Sequence, residues 1–151
     1  MHIWVDADAC PVAVKDILYR AAERAQVSMT LVANRPLVTP RSPWIRALQV
    51  EPGFDVADRE IGRRMAAGDL VITGDVPLAA EVIGRGGHAI NPRGERYTAE
   101  NVRQHLETRD FLEKLRETGI QTGGPAPMDN TDRKRFADQL DRFLAGARAA
   151  G

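Results

Sequence analysis

The sequence predicts an α/β fold, with a mainly parallel central sheet of about five strands covered by helices on both faces. Three observations carry that prediction. Short apolar runs alternate with stretches of helical spacing from residue 3 to about residue 91, an order that implies parallel strands joined by helical crossovers. The length of 151 residues suits one domain with its own core. From about residue 98 the pattern is wholly helical. With no internal repeat and no dividing linker, this C-terminal extension is expected to dock on the same single domain, spanning 1–151.

The elements follow in order. Ile3 and Val5 mark a first strand. Pro11 suits a first helical turn, where its missing N–H costs nothing. Val14, Ile17, Leu18, Ala21, Ala22 and Ala25 then recur on one face of a helix from about Pro11 to Ala25. "MTLVA", Met29 to Ala33, reads as the second strand. "NRPLVTPRSPW" holds three prolines and suits a surface flap. "IRALQV", Ile45 to Val50, alternates as a third strand. A helix follows, with Asp55 or Asp58 near its start, Ala57, Ile61 and Met65 as its stripe, and Gly68 placed to end it. "LVIT", Leu70 to Thr73, is the fourth strand, and a helix from Pro77 to Ile83 follows it. "HAIN", His88 to Asn91, supplies the fifth. Thr98 is placed to cap a helix running to about Thr118. "GIQTGGPAP" breaks the chain, and Phe136, Leu140, Phe143, Leu144 and Ala147 stripe a last helix.

Composition excludes several classes. A formal net charge of zero argues against strong nonspecific polyanion binding, although a local arginine patch could still hold a phosphate backbone. Cys10 is the only cysteine, which rules out an intrachain disulfide; with no base nearby in sequence, it reads as a small structural residue. No basic segment leads into an apolar one as a secretory signal does, and no apolar run nears the ~18 residues of a membrane span. A cytoplasmic protein without membrane contact is expected. His2, His88 and His105 lack zinc-ligand spacing. "GRGGHAINPRGERY" has neither the Walker A lysine nor the dinucleotide fingerprint. "DRKR", Asp132 to Arg135, reads as a solvated helix face.

The acids are more informative. Open α/β sheets bind ligands at the carboxyl ends of strands, where strand order reverses. Asp6 and Asp8 end the first strand, Asp55 and Asp58 follow the third, and Asp75 follows the fourth. Singly, Asp55, Asp58 and Asp75 also read as helix caps or turn residues. Asp69 precedes its strand, at the opposite edge, and reads as structural. Two unit charges about 4 Å apart cost roughly 4 kcal/mol at an effective dielectric of 20. Carboxylates sharing one crevice therefore need protons or a cation among them. All-oxygen donors favour Mg2+ or Mn2+ over zinc. Extended residues at i and i+2 face the same way, so Asp6 and Asp8 could grip one ion together. If the backbone turns at Ala7, Asp6 alone does so.

"VDADACPV", "VANR", "GFDVADREI", "GDLVITGDVPLAAEVI", "NPRGERYTAENV" and "GGPAP" together resemble the YaiI/YqxD family of uncharacterised bacterial proteins, from the first strand to the last helix. That resemblance implies a three-layer PIN-like domain, related in fold to metal-dependent nucleases. It further implies that Asp6, Asp58 and Asp75 match the acids of the PIN site, with Asp8 an additional acid of this family's opening motif. A glutamate that many PIN nucleases carry on an early helix has no clear counterpart here. The expected activity is metal-dependent phosphodiester hydrolysis of RNA or single-stranded nucleic acid. Asp6, Asp8, Asp58 and Asp75 would be the catalytic and metal-holding set, and Arg35, Arg41 or Arg93 would bind phosphate. Two alternatives stand beside it. One is a non-catalytic module binding nucleic acid or protein. The other is a phosphatase of the haloacid dehalogenase type, with Asp6 as nucleophile and Asp8 as acid/base; against it, no catalytic lysine follows "LVIT".

Overall fold

A computed structural model of the chain describes residues 1–121, 123 and 126–150, with side chains described as far as 147. Five strands run parallel: β1 (Ile3–Asp6), β2 (Met29–Ala33), β3 (Ile45–Gln49), β4 (Leu70–Ile72) and β5 (His88–Ile90). A two-residue strand, β6 (Arg96–Tyr97), adds antiparallel to β5 after the turn at Gly94. The helices are α1 (Val12–Ala25), α2 (Val56–Arg64), α3 (Val76–Gly84), α4 (Ala99–Glu117) and α5 (Asn130–Ala150). The predicted break "GIQTGGPAP" lies between α4 and α5, and residues 122, 124 and 125 of it fall outside the described residues.

The strand order is β3-β2-β1-β4-β5-β6. The chain winds outward from β1 through β2 to β3, then returns to the other side of β1 as β4. Strand order therefore reverses between β1 and β4, and a crevice is expected at their carboxyl ends.

The two-residue period of the strands sorts side chains between the faces. Ile3 and Val5 of β1, Met29 and Leu31 of β2, and Leu70 and Ile72 of β4 pack beneath α1 and α5, with Leu18, Phe136 and Leu140 wholly buried among them. Each such large side chain contributes about 1.5–3 kcal/mol of burial. Val32 and Val71 point the other way, beneath Ile61 of α2 and Leu78 and Val82 of α3, where Trp4 joins them. Beyond them α4 closes on α3 through Val102, Ala79 and Tyr97. The arrangement is a three-layer α/β/α fold, with α1 and α5 on one face and α2, α3 and α4 on the other.

Capping chemistry sets several helix ends. Thr98 and Asn101 form a reciprocal capping box at the start of α4. Asp75 accepts from the Leu78 N–H at 2.8 Å to start α3. The helix α2 stops at Arg64, so Met65 contributes to the core from beyond the helix end and Gly68 (φ +89°) turns the chain into β4. Among the described residues, no helix is long and apolar enough to cross a membrane.

Candidate metal centre

Strand parity explains how the site is assembled. On β1, Trp4 and therefore Asp6 face α2 and α3, opposite to Ile3 and Val5. Thr73, two residues beyond Val71, shares that face, and its hydroxyl donates to Asp6 Oδ2 at 3.2 Å. The same hydroxyl oxygen accepts from the Asp75 N–H at 2.9 Å. Thr73 thus ties the end of β1 to the turn that carries Asp75.

The strand does not continue past Asp6. Residues Ala7–Ala9 form a single 3-10 turn, so Asp8 no longer repeats the direction of Asp6. Its Oδ2 accepts from the Asn34 N–H at 2.8 Å and its Oδ1 lies 3.8 Å from Arg35 Nε. Asp8 still lines the same cavity, of about 410 Å³, together with Asp6, Asn34, Phe54, Asp55, Asp58 and Asp75.

Asp55 belongs to the cluster by virtue of an unusual backbone. It sits at φ +63°, in the left-handed region, and its side chain makes no capping hydrogen bond. Aspartate tolerates that conformation better than most residues. The turn frees the carboxylate, and one oxygen each from Asp55, Asp58 and Asp75 come within 4.8 Å of one another. The spacing Asp55-x-x-Asp58 is the signal in the sequence, because residues three apart across a helix start share a side. Thr73 could have been found by counting parity from Val71.

The electrostatics are those of crowded acid. Burial and the charges of Asp6 and Asp75 push Asp58 up to about 8, and it lies within hydrogen-bond reach of both. Burial also raises Asp6, with hydrogen bonds from Asp58 and Thr73 partly opposing and the Asp75 and Asp8 charges adding to the rise. At neutral pH the cluster therefore retains a proton that a cation would displace.

The donor set fits a hard divalent ion. Oxygens about 2.1 Å from one octahedral ion lie roughly 3–4.2 Å apart, so a separation of at most 4.8 Å needs only a small closing. No cysteine or histidine contributes to that triad, which favours Mg2+ or Mn2+ chemistry over zinc.

The other candidates are placed elsewhere. Arg35 stands beside Asp8 with its side chain 62% exposed. Arg41 is exposed on the flap and lines neither acid-walled cavity. Arg93 donates to Asp132 Oδ2 at 3.1 Å and to the Ala126 carbonyl, which fastens it to the start of α5. A second groove shares Phe54, Asp55, Asp58 and Asp75 with the first and adds Arg59, Pro77, Glu81 and Arg109; neither of those arginines stood out in the sequence. Asp69, at the opposite edge, accepts from the His2 N–H, the Trp4 indole and the Ala66 N–H, a structural role. Cys10 is buried, which pushes its thiol up to about 12 and makes it a poor nucleophile.

Comparison with known proteins adds relatives along the whole chain. The family model described as "Uncharacterized BCR, YaiI/YqxD family" matches residues 4–146. A UPF0178 protein of Aromatoleum aromaticum is 66% identical over 145 residues, covering 96% of this chain and 97% of the relative. One from Halorhodospira halophila is 63% identical, covering 96% of each. A third, from Janthinobacterium sp. (strain Marseille), is 58% identical over the full length of both. No solved structure gives a significant match.

Proposed function

The chain belongs to the YaiI/YqxD family, and from that premise we propose that it is a metal-dependent phosphodiesterase acting on RNA or single-stranded nucleic acid. One observation carries the reading. Three carboxylates from two separate segments present oxygens within 4.8 Å of one another, beside the buried Asp6, at the crevice where strand order reverses. The PIN-like expectation is consistent with acids collected at that edge of a parallel sheet.

Asp55, Asp58 and Asp75 would hold Mg2+ or Mn2+, with Asp6 completing the inner wall. Such an ion, when bound, supplies Lewis acidity toward a phosphoryl oxygen and lowers the pKa of water. The protein supplies the positioning. Thr73 fixes one Asp6 oxygen, and the α3 cap fixes one Asp75 oxygen, so hydrogen bonds hold both carboxylates where β1 ends and α3 begins. Asp58, raised by burial and by the Asp6 and Asp75 charges, would give up its proton when the cation binds. Arg35, whose exposed guanidinium stands beside Asp8, would approach a phosphate oxygen.

The phosphatase alternative has weaker support. Asp8 is committed to Asn34 and Arg35 rather than poised over Asp6, and among the described residues no lysine lines the cavity. The non-catalytic alternative is separated by experiment. Cleavage of end-labelled RNA with Mn2+ is expected from the wild type and is lost in Asp6→Asn and Asp75→Asn. Cleavage that survives both substitutions belongs to a contaminant and ends the hydrolase reading. Mn2+ binding by calorimetry without turnover on any nucleic acid leaves only a binding module.

A further inference from the structure

Phe54 is 87% exposed, an uncommon position for a phenyl ring beside a polar cavity. It lines both the acid cavity and the adjoining groove. The ring is not on a loose tail. Gly53 precedes it at φ +150° and left-handed Asp55 follows it at φ +63°. A Cβ on Gly53 would lie 3.0 Å from Val56 Cγ2, and the Asp55 carbonyl already accepts from the Arg59 N–H at 2.9 Å. This short turn holds the phenyl outward while the next residue enters the carboxylate triad.

The groove beside Phe54 is also lined by Arg59 of α2, by Pro77, Leu78 and Glu81 of α3, and by Arg109 of α4; Glu81 is paired with Arg85. Arg59 and Arg109 are exposed. Neither appears in any ion pair among the described residues, a condition they share with several other arginines of the chain. A flat apolar face beside the acid cluster, with two guanidiniums that have no carboxylate partner among the described residues, is the chemistry that recognises a base and then the phosphates next to it. A base paired within a duplex keeps both faces stacked on its neighbours and is closed to such a ring.

We propose that Phe54 is the stacking platform for one base of single-stranded nucleic acid, with Arg59 and Arg109 receiving the phosphates on the α4 side of the acid cluster. This rests on the phosphodiesterase reading and adds strand state and direction to it. Single strands engage the exposed ring, and a duplex does not.

The test uses the full chain and a single-stranded octanucleotide carrying 2-aminopurine, with Ca2+ present to occupy oxygen-ligand sites. Stacking on Phe54 is expected to quench the probe. Phe54→Ala weakens binding about 5- to 150-fold and abolishes the quench, while Phe54→Trp retains both. Arg109→Gln lowers the slope of log affinity against log salt by about 1. The duplex of the same sequence gives no Phe54-dependent binding. Unchanged affinity in Phe54→Ala overturns the inference, as does an equal loss for duplex. A Phe54→Ala protein that dissociates from an oligomer without a change in oligonucleotide binding also overturns it, in favour of a protein contact. Phe54-dependent binding by a chain that never cleaves supports this inference and removes the hydrolase reading. Cleavage indifferent to Phe54 does the reverse.

Discussion

Replacing Asp58 by Asn should make the metal-free protein more stable, and increasingly so as pH rises. Asp58 lies between Asp6 and Asp75, and its carboxyl is raised from an ordinary 3.8 to about 8. The folded chain therefore holds a proton that the unfolded chain releases between about pH 4 and pH 8. Stability falls as pH rises through that window, because the native state binds more protons than the unfolded one. At about 1.4 kcal/mol per decade the shift corresponds to roughly 6 kcal/mol. The group is only half buried, and solvent screening reduces this to about 2–3 kcal/mol. Asparagine keeps the neutral shape and the hydrogen-bonding capacity but has no proton to lose. In EDTA the variant should match the wild type near pH 4 and exceed it in Tm by about 5–10 °C near pH 9, on the scale of a 150-residue domain. Asp6, raised as well, leaves a smaller slope of the same sign in the variant. Addition of Mn2+ should raise the Tm of the wild type and leave Asp58→Asn nearly unmoved. Differential scanning calorimetry across pH is the assay. A wild type with flat stability from pH 4 to 9, or a variant no more stable near pH 9, would refute the reasoning about crowded carboxylates.

Three further outcomes can be measured alongside. Asp75 has two duties, so Asp75→Ala should lose the α3 cap, costing about 1 kcal/mol, whereas Asp75→Asn should cost under about 0.5 kcal/mol; both should abolish Mn2+ binding in calorimetry. Asp69→Ala strands three donors, those of His2, Trp4 and Ala66, and should cost about 3 kcal/mol in urea unfolding, with a shift in Trp4 fluorescence and Mn2+ affinity unchanged. Gly94→Ala puts a methyl 2.5 Å from the Arg135 carbonyl carbon and the Phe136 nitrogen at φ +90°; a loss of about 2–4 kcal/mol is expected, and a variant as stable as wild type would show that α5 can yield.

Much of this architecture was legible because parity and period are local properties. The alternation of strands and helices from β1 to β5 followed from short apolar runs between 3.6-periodic stretches. Thr98 announced α4, and the stripe from Phe136 to Leu144 announced α5. What escaped has physical causes. The strand β6 has two residues and takes its place only through pairing with β5, so it leaves no periodic trace. Asp6, Asp58 and Asp75 could be grouped by their positions after strands, but the shared direction of Asp6 and Asp8 depended on the backbone staying extended past Asp6. The 3-10 turn ended that. Asp55 looked like a cap because cap and ligand are the same residue type in the same place; only the left-handed φ, which no pattern encodes, distinguishes them. Arg93 looked available for phosphate, yet its partner Asp132 lies 39 residues away, a pairing that exists only in three dimensions.

Phe136 and Leu140 fill the space above β1, the strand formed from the first residues of the chain. The helix that carries them is made after every other element described. A nascent chain lacking it would leave Ile3, Val5 and Leu70 less covered, so the sheet reaches its native stability only after translation has passed that helix. Opening the completed protein at either end should therefore loosen both.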